Sequence, residues 1–436
     1  MSTEPHVVVI GAGPVGLTAA AHLVLRQMAF TVLEAADAVG ASIRQWGHVR
    51  LFSSWAMDID PDAAALLRQI GWTPPADDDH PTGHDLVDGY LEPLAAHPRI
   101  RPHLRLGATV TDITRQGLSR LDTDGRADSP FLIRYTQGGV EREILASAVL
   151  DASGTWTTPN PLGAAGIPAS GERTAAERIA YGIPDVLGAD RARYANKRVA
   201  VAGGGHSAAN VLLDLATLGP TAPSTNVTWL LRRSGAPRFA GAGANDELPE
   251  RGRLGTAVDQ LAAKGVITIE RGFRSESVTI GADGVTISDG DRHIGPFDEI
   301  IVTTGLRPNL APLGELRLDL DEIVEAPRAL APLIDPNVHS CGTVPPHGFM
   351  ELSHPEPAFF IVGMKSYGRA PTFLLRTGYE QVRSVVAALA GDLDAASRVE
   401  LVLPETGACS LGNRPAEGAG QGSVGGVGRY HSTVPA

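Results

Sequence analysis

Apolar and polar positions along the chain fall into short blocks that read as strand, turn and helix. The run Val7-Val8-Val9-Ile10 passes straight into Gly11-Ala12-Gly13-Pro14-Val15-Gly16. Further on, Arg198-Val199-Ala200-Val201-Ala202 passes into Gly203-Gly204-Gly205-His206-Ser207-Ala208. A short apolar run bounded by glycine predicts a buried strand, and each block then reads as a tight glycine turn and a helix start. In such a turn the first glycine makes the bend and the second lets backbone approach a pyrophosphate. The third holds the helix against the sheet, and the helix N-terminus faces the negative charge. The strand after the first turn, Phe30–Leu33, ends at Glu34, a carboxylate placed to accept hydrogen bonds from a ribose diol. The strand after the second, Asn226–Leu231, ends at Arg232-Arg233, guanidiniums suited to a 2′-phosphate. One such glycine motif is a weak signal. Two of them, each on a strand and with opposite charges beyond, predict one FAD site and one NADPH site.

The same patterning predicts how the two units connect. Residues 141–151 read as a return strand entering Asp151-Ala152-Ser153-Gly154, and Asp298–Val302 reads as a second return strand entering Thr303-Thr304-Gly305. These crossings bracket the second turn, with Pro159, Pro161 and Pro168 punctuating the first. The fold class expected is α/β, with two Rossmann-like dinucleotide-binding domains, the NADPH domain inserted into the FAD domain. The FAD domain is expected at 1–158 and 304–410, and the NADPH domain at 159–303. Leu106–Ile113 and Phe131–Tyr135 alternate as strands of a meander that includes Val110, assigned to the cofactor site. Phe373–Leu389 has helical spacing behind Pro371, and Gly391 supplies a stop. Residues 411–436 are Gly- and Ser-rich and read as a disordered tail.

Composition narrows the partners. The 436 residues suffice for two or three cores. A net charge of −12 argues against nucleic acid, which needs basic patches. No apolar run approaches the roughly 18 residues of a membrane span. Met1–His6 enters a strand without a basic-then-apolar leader, so a cytoplasmic location is expected. A homo-oligomer is left open. Cys341 and Cys409 are the two cysteines, and their spacing offers neither a disulfide framework nor a zinc motif.

The first turn with Glu34, the second with Arg232-Arg233 and the two glycine crossings resemble the class B flavin-dependent monooxygenases. That group includes flavin-containing monooxygenases and N-hydroxylases, and bacterial flavoproteins linked to arsenic resistance are the nearest resemblance. It covers most of 5–410. Val39-Gly40-Ala41-Ser42 is similar to the family's turn after the ribose-binding acid, Val49–Ser53 to its segment beside the flavin, and Asp190–Val201 to its linker signature. Three positions depart from the pattern: Tyr181-Gly182 is out of register, Phe52 stands at the family's Asn, and Gly363-Met364 replaces its Gly-Asp pair.

The resemblance implies that NADPH reduces FAD and that a flavin peroxide formed with O2 passes one oxygen to a soft heteroatom (N, S or trivalent arsenic) of a small molecule. Most of that chemistry belongs to the cofactor. Ser53, Gln45 and Arg44 are the candidates for hydrogen bonds to the reacting oxygen, with a structural or FAD-contact role as the alternative. Gly154, Thr304, Gly305, Gly363, Thr372 and Phe373 join the cofactor set, and the helix opening at Pro371-Thr372-Phe373 is expected to aim its positive end at the flavin pyrimidine. His206-Ser207 reads as phosphate-contacting rather than as a nucleophile with its base. His339, Cys341, His347, Glu351 and His354 crowd one segment, but their spacing reads as an irregular loop over the flavin, with no metal expected. Cys341 is the substrate-side candidate, because a soft thiolate suits a soft metalloid. Two alternatives stay open: an NADPH-dependent flavin oxidoreductase or oxidase without oxygen insertion, and a non-enzymatic flavin-binding redox sensor. Disulfide reduction asks for a Cys-x2-Cys or Cys-x4-Cys pair, which the chain does not contain.

Overall fold

The computed structural model describes residues 6–235, 248–337, 344–371 and 373–401. Strand β1 (His6–Ile10) leads through the first glycine turn into α1 (Pro14–Leu25) and β2 (Ala29–Leu33). Short helices follow at α2 (Ala41–Arg44), α3 (Trp55–Asp58) and α4 (Pro61–Arg68). Then come β3 (Leu104–Arg105), an antiparallel meander of β4 (Ala108–Arg115), β5 (Phe131–Gln137) and β6 (Val140–Ala146), and β7 (Ala148–Asp151). The second unit runs β8 (Ile179–Tyr181), β9 (Arg198–Ala202), α5 (His206–Leu218), β10 (Asn226–Leu231), α6 (Pro249–Ala263) and β11 (Thr268–Arg271). A hairpin sheet of β12 (Ser277–Gly281), β13 (Gly284–Ser288) and β14 (His293–Phe297) precedes β15 (Glu299–Val302). The chain then returns to the first unit with β16 (Phe359–Ile361) and α7 (Leu375–Leu389).

Two parallel sheets result, ordered β16-β7-β1-β2-β3 and β11-β10-β9-β15-β8. β1 pairs in parallel with both β2 and β7, so both faces of Val7–Val9 are covered, as a continuous apolar strand requires. Helix α1 is buried nearly all round, which fits its Ala-rich, uncharged sequence. Helix α5 instead buries one face, Ala208, Val211, Leu212 and Leu215, against the second sheet. Because β16 joins β7 in the first sheet after the second has been completed, the second unit is inserted into the first. The two passages between units pair with each other: Asn160 N donates to the Gly305 carbonyl at 2.9 Å and Arg307 N to that of Thr158 at 3.1 Å.

Two local expectations change. The return strand 141–151 is two strands in different sheets, because Ser147 breaks it, donating its N–H and its hydroxyl to the His6 carbonyl at 2.8 and 2.9 Å. Its first half completes the meander through a turn at Gly138-Gly139, both with positive φ, +60° and +76°. The last long helix starts at Leu375 rather than Phe373. Phe373 lies edge-on to Tyr367, 5.1 Å between centroids, just ahead of the helix. Residues 411–436, assigned to the tail, lie outside the described residues, and among those described no helix is long and apolar enough to cross a membrane.

Candidate dinucleotide sites and the junction between them

The first turn is built from backbone. Gly11 takes φ +97°, where a Cβ would stand 2.7 Å from the Ala152 carbonyl oxygen, and a Cβ on Gly16 would stand 1.9 Å from that of Gly11. Gly13 faces open space, with no atom within 4 Å of where a Cβ would sit, and Pro14 begins α1. Glu34 Oε2 accepts the Ala12 N–H at 2.6 Å and Oε1 accepts that of Ala36 at 3.0 Å, so its carboxylate rims the turn. The start of β4 is tied to the same residue, Ala108 N donating to the Glu34 carbonyl at 2.8 Å, and Val110 packs half-buried on the cluster containing Leu33. Gly154, φ +71°, follows β7 across the turn, also with open space on its Cβ side. A clear backbone face, a helix N-terminus and a carboxylate at the rim fit an adenine dinucleotide. Residues 11–16, Glu34 and Gly154 would hold it.

Beside the same turn, Gly363 (φ +69°) and Gly378 both close on Val15 in the first turn of α1. Gly363 N donates to Gln381 Oε1 at 2.7 Å, and Gln381 Nε2 lies 2.9 Å from both His347 Nε2 and Ser366 Oγ. The Gly-Met departure at 363–364 is accompanied by a buried ion pair that the sequence did not announce. Lys365 Nζ donates to Asp151 Oδ2 at 2.6 Å and to Ser153 Oγ at 3.0 Å, bracing β7 against the turn after β16. Phe373 is held at the first turn of α7, while Thr372 lies outside the described residues.

Each proposed oxygen-handling side chain has a protein partner. Arg44 is spread over the Val39 carbonyl, Asp88 at 3.3 Å and Glu92 at 2.6 Å. Gln45 Oε1 accepts from Trp156 Nε1 at 2.9 Å, joining α2 to the first interdomain passage. Ser53 Oγ donates to Asp58 Oδ1 at 2.6 Å, and both residues are buried. Asp58 is the residue sequence reading missed here; burial pushes its carboxyl up to about 7 against the opposing effect of the Ser53 bond.

The second turn repeats the first. Gly203 takes φ +139°, with a Cβ position 2.4 Å from Thr303 Oγ1, and Gly205 faces open space like Gly13. His206 and Ser207 form the first turn of α5, and Arg232 and Arg233 stand exposed at the end of β10. Thr304 Oγ donates to the Asn160 carbonyl at 2.8 Å, beside Gly305 (φ +93°). The two units meet where the His206 ring packs on Phe52, centroids 5.6 Å apart.

In the 335–354 segment the ligand-type residues are dispersed. His347 has Nδ1 on the Pro345 carbonyl at 3.1 Å and Nε2 on Gln381, with burial holding its pKa down. His354 Nδ1 accepts from Asp319 N, burial lowering its pKa to about 4, and Glu351 accepts from Gly348 N. Among the described residues no three His, Cys, Asp or Glu side chains converge. His339, Cys341 and Cys409 lie outside the described residues.

Residues 8–340 match the family described as pyridine nucleotide-disulphide oxidoreductase. A curated relative, ferredoxin–NADP reductase 2 of Cupriavidus metallidurans, is 26% identical over 322 residues, spanning 73% of this chain and 71% of its own. Among solved structures, the bacillithiol disulfide reductase of Bacillus cereus superposes with a TM-score of 0.64 at 18% identity, covering 89% of this chain and 99% of its own. The FAD-bound cadaverine monooxygenase of desferrioxamine biosynthesis from Erwinia amylovora gives 0.62 at 14%, covering 92% and 99%. At such identities the two structures establish the fold. Together with the two dinucleotide turns, the family match makes the protein an FAD- and NAD(P)H-dependent flavoprotein oxidoreductase. The chain belongs to the pyridine nucleotide-disulphide oxidoreductase family.

Proposed function

We propose that this flavoprotein is a monooxygenase that consumes NADPH and O2 and delivers one oxygen atom to a soft heteroatom of a small molecule. The observation that carries the reading is the Phe52–His206 junction, where the segment beside the flavin site meets the first turn of the nicotinamide helix. Hydride transfer needs the two rings in contact, and that junction is where they can meet. The chain has two cysteines, at 341 and 409, in neither of the spacings a dithiol beside a flavin uses. Electrons on the flavin therefore have no internal disulfide of that kind to reduce, and O2 is the acceptor that the cadaverine monooxygenase likeness suggests. Bound FAD supplies the electron storage and the oxygen chemistry. The protein's part is to hold the pyrophosphate on α1, to bring nicotinamide across the junction and to keep water away. NADPH is preferred over NADH through Arg232 and Arg233. The flavin domain comprises 1–158 and 304–410, around a nicotinamide domain at 159–303.

The heteroatom is nitrogen, sulfur or trivalent arsenic. Support for arsenic comes from the resemblance to arsenic-resistance flavoproteins and from the sequence position of Cys341. The test is to follow NADPH use, hydrogen peroxide release and product together, with amines, thioethers and arsenite as substrates. A substrate that lowers peroxide release while an oxygenated product accumulates supports the reading. If every electron pair is recovered as peroxide, or passes to an added electron carrier, the protein is an NADPH-dependent flavin oxidoreductase. That second reading is favoured by its likeness to ferredoxin–NADP reductases.

A further inference from the structure

The strand end that carries Arg232 and Arg233 is tied down by the turn that follows β11. β10 closes on the second glycine turn, where a Cβ on Gly204 would stand 3.4 Å from Leu231 Cδ2. β11 pairs with β10 in parallel, Arg271 in register with Leu231, so the two strands leave the sheet side by side. Beyond that point three bonds run from 271–273 to 231–235. Phe273 N donates to the Leu231 carbonyl at 3.0 Å and Gly272 N to that of Arg233 at 3.3 Å. The third is made by a side chain, Arg271 Nη1 donating to the Gly235 carbonyl at 3.1 Å. Gly272, at φ +63°, packs so near that a Cβ would stand 2.8 Å from Ser234 Oγ.

This turn is itself braced from the hairpin sheet. Arg292, just ahead of β14, donates from Nη1 to the Arg271 carbonyl at 3.3 Å and from Nη2 to that of Gly272 at 2.9 Å. Asp289 grips the same guanidinium, accepting from Nε at 2.9 Å and from Nη2 at 2.5 Å. The guanidinium also lies 5.0 Å from the centre of the buried Phe273 ring. Residues 232–235 are exposed, and an exposed segment that must be ordered on binding loses affinity to that ordering. Guanidinium forks receive a phosphate best where they are already aimed.

We infer that Arg271 is a positioning residue for coenzyme discrimination, its bond to the Gly235 carbonyl holding the segment of Arg232 and Arg233 in the shape that receives a 2′-phosphate. The inference rests on the assignment of NADPH to the second turn. Arg271 acts through the two arginines, so its effect is confined to ligands that carry the 2′-phosphate and vanishes where both arginines are absent. Arg271 is exposed, so its truncation leaves the core intact.

The test is calorimetric titration of the FAD-loaded protein with 2′,5′-ADP and with 5′-AMP, which differ by the 2′-phosphate alone. Arg271→Ala should weaken 2′,5′-ADP about threefold to tenfold, the worth of one net hydrogen bond, and leave 5′-AMP unchanged. Arg271→Lys, still able to donate to Gly235, should recover most of that loss. In a protein that already carries Arg232→Ala and Arg233→Ala, Arg271→Ala should change nothing further. Equal weakening of both ligands would make Arg271 a merely structural residue and overturns the inference. A loss that persists in the Arg232→Ala, Arg233→Ala background overturns it too, since Arg271 would then touch the phosphate itself. If wild type prefers 2′,5′-ADP and Arg271→Ala keeps the whole preference, the NADPH reading stands and this inference falls. If wild type binds the two ligands equally, both fall.

Discussion

The rings of Phe52 and His206 pack against each other across the two units, with centroids 5.6 Å apart and planes inclined at 48°. One belongs to the loop ahead of α3, the other to the first turn of α5. Trp156 adds a second strap nearby, hydrogen-bonded to Gln45 and covering Gly182 at the end of β8. The junction is thus a packed contact between the two units.

The carboxylate of Glu34 is the rim of the first turn, with both oxygens on backbone N–H groups. Glu34→Ala removes the ribose acceptor and leaves the Ala12 N–H without its partner. Hydrogen bonds to a charged group contribute about 1.5–3 kcal/mol each, so FAD should bind on the order of tenfold to a hundredfold more weakly. Equilibrium dialysis with absorbance at the flavin band measures this. Full flavin retention through extended dialysis would remove Glu34 from the site.

The second turn can be closed without touching the first. A Cβ on Gly203 would meet Thr303 at 2.4 and 2.5 Å, at a φ of +139° that other residues rarely adopt. Gly203→Ala should therefore keep FAD, still reducible by dithionite, yet lose reduction by NADPH. Loss of FAD together with NADPH reduction would mean that the two turns are not separable sites.

Discrimination between nicotinamides is assigned to Arg232 and Arg233, exposed at the end of β10. One charge-assisted contact to a 2′-phosphate is worth roughly a tenfold to hundredfold preference. Alanine at both positions should bring kcat/KM for NADPH down to that for NADH, with NADH little changed. A preference that survives the double variant places the 2′-phosphate elsewhere.

Stability should fall with pH because of Asp58. Burial raises its native pKa to about 7, well above the ordinary carboxyl range, so the folded state binds the proton more tightly than the unfolded state. By linkage the stability is fully present below about pH 4, declines by about 1.4 kcal/mol per pH unit through the window, and is lower by roughly 4 kcal/mol above pH 7. Asp58→Asn removes the titration while keeping an acceptor for Ser53. Its Tm relative to wild type, with FAD bound in both, should rise between pH 5 and pH 8. A difference that stays constant over that range would show that Asp58 does not titrate there.

Much of the fold was legible because it rests on local chemistry. A glycine turn with φ near +97° at Gly11, or a strand apolar on both faces such as Val7–Val9, declares itself within a few residues. Strand membership was less legible. The apolar pattern through 141–151 shows that the chain is extended but not which sheet it joins; that was decided at Ser147 by its capture on His6, far away in sequence. The helical spacing runs two residues past the true start of α7 for a similar reason, since Phe373 is placed by Tyr367 and Gly378.

The sequence by itself determined that two dinucleotides bind, because turn, helix start and terminal charge lie within one contiguous stretch in each case. It also determined that the chain offers no closely spaced pair of cysteines. Only the tertiary structure decided what surrounds the flavin side. Arg44 is drawn to Asp88 and Glu92, Lys365 to Asp151, and Ser53 to a buried Asp58 with one oxygen unpaired. Whether a side chain is spent on an ion pair, or a carboxyl is stripped of water until it holds its proton, depends on burial by distant segments. Local patterning carries no record of that burial, because desolvation and long-range pairing arise only once α1, α3 and α7 have packed together.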